Sequence, residues 1–255
     1  MAAGYNPRTV TDGLVLALDA GNTKSYPGSG TTWKDLSGKG NNGFFRTKNE
    51  SFKEGIDYRN DSGGNFEFDQ SSESAISTLN SLESAYNLFP GVNDSTTGES
   101  NTFWSVTTWF NTSSVASGTR AIIAKGDGTF KSNLSGNSVF LYINRAVLRI
   151  KLRNSSAKKI SNIEPGVWYN VAITWDGSSG TKTAKVYLNG NFVTVTNEIN
   201  LKSENNSRYQ FNIGATENAE RRFFKGKISY VSAYNRALTA EEVKQNYNAL
   251  KERYV

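Results

Sequence analysis

Runs of alternating apolar and polar residues, each cut off within about ten positions by Gly, Asn, Asp or Ser, dominate this 255-residue chain. That pattern restricts it to short strands joined by turns. "FWSVTTWF" (103 to 110) puts Trp104, Val106 and Phe110 on one face and Phe103 and Trp109 on the other. "VFLYI" and "AVLRIKLR" flank Asn144-Arg145, which predicts a tight hairpin at those two residues. "WYNVAITW" runs into Asp176-Gly177, and "AKVYLNGNFV" turns at Asn189-Gly190. "QFNIGA" and "GKISYVSAYN" continue the pattern. Strands this short, without helices alternating between them, predict an all-β fold, an antiparallel β-sandwich.

Two stretches carry helical spacing. Residues 75 to 89, with Ile76, Leu79, Leu82, Ala85 and Phe89, read as a helix or a long packed loop in a Ser/Asn-rich insertion. At the C-terminus, Thr239 and Glu242 have the spacing of a capping box, and Leu238 and Val243 that of a hydrophobic staple. A short helix over 239–252 follows, with Val243, Tyr247, Leu250 and Tyr254 in one stripe. The stripe reads as the face packed on the chain's own sandwich, with a partner-docking helix as the alternative. Residues 1–12 read as an N-terminal arm and 13–255 as one sandwich domain that includes the helix. Pro7 and the polar composition of 1 to 11 predict that the arm is mobile in the isolated protein and ordered by a neighbour.

Absences narrow the chemistry. Without cysteine there are no disulfides, thiolate nucleophiles or Cys-ligated metals, and without histidine there is no Ser-His-Asp catalysis or His-bound zinc. The net charge of +6 permits an anionic partner, but the basic residues are scattered in pairs such as Lys158-Lys159, so no nucleic-acid platform is expected. No apolar run approaches the roughly 20 residues that cross a bilayer, so no membrane insertion is expected. "MAAGYNPRTVTDG" shows no signal peptide. "LALDAGNTKS" has the order of a phosphate-binding loop, but a second such loop and the βα repeats around it are missing. It reads as a strand and its turn.

Taken in order, "DGLVLALDAGN", "WKDLSGKGNNG", "GGNFEFD", "FWSVTTWF", "GVWYNVAITWDG", "AKVYLNGNFV" and "GKISYVSAYNRALTAEEVKQNYNALKERY" resemble the laminin-G-like jelly rolls of the concanavalin A-like lectin/glucanase superfamily. The resemblance covers residues 13 to 254, with an expanded middle between 70 and 101. "LALDAGNTKSYPGSGTTWKDLSGKGNNG" with the ending "NYNALKERY" looks like the version found in virion proteins of tailed bacteriophages. It implies a non-enzymatic structural virion component (capsid decoration, neck or tail/fibre-associated) with a lectin-like domain. Its partners would be other virion proteins, and it would be assembled in the host cytoplasm. The alternative is a carbohydrate-binding module that recognises host surface glycan.

The same resemblance raises two kinds of site. Relatives that bind calcium do so through Asp, Asn and loop carbonyls, which makes Asp35, Asn42 and Asp69 the candidate ligands. Glycosidases of related fold carry three carboxylates on one strand, and Glu67, Asp69 and Glu73 match a spaced version of that motif. The Gln-Ser-Ser between Asp69 and Glu73 favours a turn, so no catalytic role is expected for them. Sugar binding would need exposed rings, whereas Trp33, Trp104, Trp109, Trp168 and Trp175 lie mostly in strand patterns that read as core. No carbohydrate-binding residue is nominated on sequence alone.

Overall fold

The computed structural model describes residues 8–47, 56–78, 103–125, 139–152, 155–176, 183–196, 211–216 and 222–254. In chain order these form β1 (Leu14–Asp19), β2 (Thr32–Trp33), β3 (Gly43–Thr47), β4 (Ile56–Arg59), β5 (Asn65–Phe68), β6 (Ser74–Thr78), β7 (Phe103–Thr112) and β8 (Thr119–Lys125). There follow β9 (Val139–Asn144), β10 (Val147–Leu152), β11 (Lys158–Asn162), β12 (Trp168–Asp176), β13 (Ala184–Leu188), β14 (Asn191–Val195), β15 (Phe211–Ile213), β16 (Gly226–Tyr234) and the helix α1 (Ala240–Leu250). One sheet runs β14-β13-β12-β7-β16-β5-β4, and the other β11-β10-β9-β8-β15-β6-β3-β2. Every pairing is antiparallel, as the turn-delimited alternation predicts.

β16 organises the first sheet. One edge pairs with β7 along its whole length, while the other meets β5 at Gly226–Ile228 and β1 at Tyr230–Tyr234. The change of partner coincides with a bulge at Ser229. The Ser229 carbonyl accepts from the Ala20 N–H at 2.9 Å, and its hydroxyl donates to the Gly64 carbonyl at 2.5 Å. The core lies between the sheets, with Leu16, Ile76, Val106, Phe110, Ile123, Leu141, Ile173, Val186 and Val231 in one buried cluster. Phe66 sits edge-on to Trp33 and to Tyr26, each at 4.7 Å. Each buried aliphatic side chain of this kind contributes about 1.5–3 kcal/mol.

α1 covers the outer face of the first sheet. Its capping box is formed: the Thr239 hydroxyl accepts from Glu242 N–H, and the Glu242 carboxylate accepts from Thr239 N–H. Val243 packs with Leu238, Tyr187 and Tyr234. Trp109 stacks on Tyr247 at 5.4 Å and on Tyr254 at 4.2 Å. The helical stripe is therefore turned onto the chain's own sheet.

Three expectations need correction. Residues 74–78 are β6, not the start of a helix, because Ile76 is fully buried and its backbone pairs with β3 and β15; 79 to 89 lie outside the described residues. The β9–β10 turn is Arg145-Ala146, one residue later than expected, because Asn144 still pairs with Val147 and Thr119, and Arg145 takes the left-handed φ of 56°. Residues 8–11 do not hang free. Val10 N–H donates to Asn246 Oδ1 at 2.7 Å, its carbonyl accepts from the Tyr234 hydroxyl at 3.0 Å, and its side chain is buried. Residues 1–7 lie outside the described residues.

Candidate functional site

The proposed calcium ligands are already engaged by the protein. Asp35 Oδ1 accepts from the N–H groups of Ala17 (2.8 Å) and Ser37 (2.9 Å), and Oδ2 from Ser37 Oγ (2.7 Å) and Asn41 N–H (3.0 Å). Asn42 Oδ1 accepts from Asp35 N–H at 2.9 Å. Asp35 and Asn42 thus come together, but as a brace that ties the loop to β1. Asp69 does not join them. It follows β5, whose last residue Phe68 pairs with Gly226 at one end of β16, whereas Asp35 holds Ala17, which pairs with Ser232 near the other end. Among the described residues no group of three or more acidic side chains is gathered that could hold a metal. The residues do not fit a calcium cage.

The carboxylate trio does not share a strand face. β5 ends at Phe68, and Asp69 caps a single 3-10 turn over Gln70–Ser72 by accepting from Ser71. Glu73 then takes a left-handed φ of 49°. Glu67 alternates with the buried Phe66 and Phe68, faces away from the core and accepts from Arg59 Nε at 2.8 Å. The Ser71 hydroxyl and N–H hold the Asp69 carboxyl below its ordinary range. A general acid needs the opposite shift.

Four of the five tryptophans are buried, and Trp168 is half-covered by Tyr254 at 4.8 Å. The ring that does face solvent is Phe192, 57% exposed on β14 and the only large aromatic so exposed among the described residues. It sits edge-on to the buried Tyr187 at 5.8 Å. The alternation of "AKVYLNGNFV" and its Asn-Gly turn place Phe192 beside Tyr187, but nothing in the sequence says that β14 is the last strand of its sheet among the described residues.

Beside these rings lies a groove of about 630 Å³ between the outer face of β12 and β13 and the N-terminal end of α1. This volume suits a small ligand. Ile173, Trp175, Ala184 and Val186 point into the core, so the residues between and beyond them face outward. Thr174, Asp176, Thr183, Lys185 and Tyr187 line that side, and Leu238, Thr239 and Glu241 the other. Asp176, Lys185, Thr239 and Glu241 are exposed. Burial raises the Tyr187 phenol above its ordinary pKa, so it stays a neutral hydroxyl. Hydroxyls, carboxylates and an ammonium thus share one concave surface, and the exposed Phe192 ring touches Tyr187 of its lining. This set can bind a polyol by hydrogen bonds and apolar contact.

A second groove, of about 550 Å³, lies at the other end of α1 among Arg8, Asp19, Asn22, Leu36 and Arg253. Its main charges are spent internally, since Asp19 Oδ1 accepts from Arg253 at 2.7 Å and from Gly21 N–H at 3.0 Å.

No curated protein sequence matches the chain. Solved structures share its fold at low identity. Domain 4 of the extracellular arabinanase AbnA from Geobacillus stearothermophilus, in complex with arabinotriose, aligns with a TM-score of 0.61 and 17% identity over 92% of this chain and 98% of that domain. Trypanosoma rangeli sialidase in complex with DANA aligns at 0.63 and 12% identity over 99% of this chain and 37% of the sialidase. Botulinum neurotoxin type C aligns at 0.63 and 16% identity over 94% of this chain and 52% of that chain. This protein therefore spans about a third of the sialidase chain and half of the toxin chain. A family model described as "Concanavalin A-like lectin/glucanases superfamily" matches residues 83–244, more than half of the sequence. With the two-sheet sandwich it shows that the chain belongs to the laminin-G-like (Laminin_G_3) family of that superfamily.

Proposed function

We propose that this protein is a non-catalytic, lectin-like binding module that takes an oligosaccharide in the groove between β13 and α1. The observation that carries the reading is that polar groove, with exposed Phe192 set against its lining residue Tyr187. A sugar ring offers hydroxyls to Thr174, Asp176, Lys185 and Glu241 and an apolar C–H face to Phe192. Support by analogy of fold comes from the arabinanase domain solved with arabinotriose and from the toxin, whose cell entry depends on two ganglioside molecules. Catalysis has no part in the reading, because Glu67 is paired with Arg59 and Asp69 caps the 3-10 turn that separates it from Glu73. Calcium has none either, because Asp35, Asn42 and Asp69 serve the loops.

The virion setting rests on the sequence resemblance. In that setting the sandwich is attached to capsid, neck or tail proteins, and the groove meets host surface glycan. Mass spectrometry of purified particles tests the setting: absence of the protein from them rules it out. A glycan array followed by titration calorimetry tests the binding. Phe192→Ala is expected to weaken binding of an array-identified oligosaccharide about 2- to 10-fold, as for loss of one ring contact of roughly 0.5–1.5 kcal/mol. Asp176→Ala should weaken it further. Silence across the array, or binding untouched by both substitutions, would rule the groove out.

A further inference from the structure

We infer that the outer face of β10 and β11 is a second binding surface, a cationic strip that takes an acidic polysaccharide. The formal charge of +6 is unevenly placed. Every ion pair among the described residues belongs to the first sheet, its flanking loops or the C-terminal segment, such as Arg59 with Glu67, Lys227 with Asp61 and Arg253 with Asp19. The strands of the second sheet contain arginine and lysine but no aspartate or glutamate. In the sequence these cations are scattered, and β10 and β11 gather them. Leu148, Ile150 and Leu152 point into the core, so Arg149 and Lys151 between them face outward. The register sets Lys159 directly opposite Arg149. Lys159 is exposed, and Arg149 and Lys151 are half-buried. Directly opposite residues lie about 4.5–5.5 Å apart at Cβ, and residues two apart on one strand about 7 Å. Arg222 approaches from the β9 side, since with Arg149 it acts on the Tyr142 phenol against the rise that burial causes. Among the described residues neither Arg149 nor Lys159 forms an ion pair with a carboxylate. Like charges set opposite each other destabilise a sheet, and an anion laid between them removes the repulsion.

The occupant follows from what surrounds the strip. Among the described residues the large apolar side chains that stand exposed are Leu36, Val167, Phe192, Val193 and Val195, and none lies on a strand of the second sheet. The strip therefore lacks the apolar centre of a stable protein interface and the apolar anchor of a lipid surface. Phe140 and Tyr142 stack at 4.5 Å beside it but are only 7% and 4% exposed, so neither ring is open to the bases of a single-stranded nucleic acid. A linear polymer recognised by charge alone fits what is left, with carboxylate or sulfate groups spaced along a sugar backbone. The groove of β12, β13 and α1 lies on the other sheet, so this inference does not depend on the oligosaccharide reading.

Dextran sulfate and uncharged dextran of equal length, titrated into the full chain by calorimetry at low salt, separate charge from sugar. Dextran sulfate is expected to bind, with affinity falling steeply as salt rises, and dextran is not. Arg149→Gln combined with Lys159→Gln should weaken binding about fivefold or more through loss of two charge-assisted contacts, and flatten the salt dependence. The melting temperature of this double variant should not fall, because the substitutions remove a repulsion. Lys24→Gln combined with Lys225→Gln takes the same charge from exposed sites outside the second sheet. It should keep the affinity within about twofold, since those charges are screened from the strip. Double-stranded DNA of matched charge should bind less tightly than dextran sulfate. Absence of dextran sulfate binding, an equal loss in the two double variants, or tighter binding of the DNA through Arg149 and Lys159 would each overturn the inference.

Discussion

At Asp35 four donors converge on one carboxylate, and one of them, Ala17 N–H, belongs to a strand eighteen positions upstream. Removing the carboxylate strands those donors in a half-buried loop, at about 1–3 kcal/mol for each that water cannot reach. Asp35→Ala is expected to lower unfolding free energy by about 2 kcal/mol in a urea titration, with no recovery on adding calcium. The sequence offers Asp35 as a candidate calcium ligand. It does not distinguish a ligand from a brace, because the donor that makes it a brace comes from β1. Phe192 is hidden for a related reason. Its alternation with Tyr187 is legible, but exposure depends on where the sheet stops. Gly190 is the opposite case: the Asn-Gly pair signals the turn, its φ is 71°, and an added Cβ would meet the Tyr247 ring at 2.9 Å.

At the scale of elements, α1 owes its start to local chemistry. Arg236 forks onto Glu242 at 2.8 and 2.6 Å, and Glu242 also accepts from Thr239 N–H. The Arg236 hydrogen bonds, with the Thr239 N–H bond, hold the Glu242 carboxyl below its ordinary value of 4.5. The unfolded chain therefore binds this proton more readily than the folded one. The stabilisation is present above about pH 4.5 and is lost as pH falls below it through the folded value. Melting curves should show Glu242→Gln less stable than wild type at neutral pH, with the gap narrowing on acidification below pH 4.5. A gap independent of pH would mean that the pair contributes nothing. The capping box is legible because all its partners lie within four residues. The strand β6 is not, since Ile76 and its neighbours take their conformation from β3 and β15, far away in the chain.

At the scale of the whole molecule, the segment around Val10 and the C-terminal helix α1 close over the same face of the first sheet. Val10 fills the cluster under α1, while Asn246, Tyr234 and Val10 form one hydrogen-bonded set. Burial of one valine and the loss of two buried hydrogen bonds together are worth about 3 kcal/mol. Deleting residues 1–11 is expected to lower the melting temperature sharply, whereas deleting 1–7 leaves these bonds intact and should change it little. Equal melting temperatures for the two truncations would show that Val10 adds nothing. The polar composition of the arm points to a loose segment, because composition cannot register a single buried side chain received by a helix more than two hundred positions away.

The sequence by itself determined the elements whose cause is local. Alternation made the strands, Asn-Gly made the β13–β14 turn, the Thr239–Glu242 spacing started α1, and the missing His and Cys removed whole classes of catalysis. Tertiary structure alone decided which strands became edges, which carboxylates were consumed by loops, and where β13 and α1 left a groove open. Those outcomes depend on contacts between residues far apart in the chain, and a one-dimensional pattern records which face a side chain takes but not what arrives to cover it.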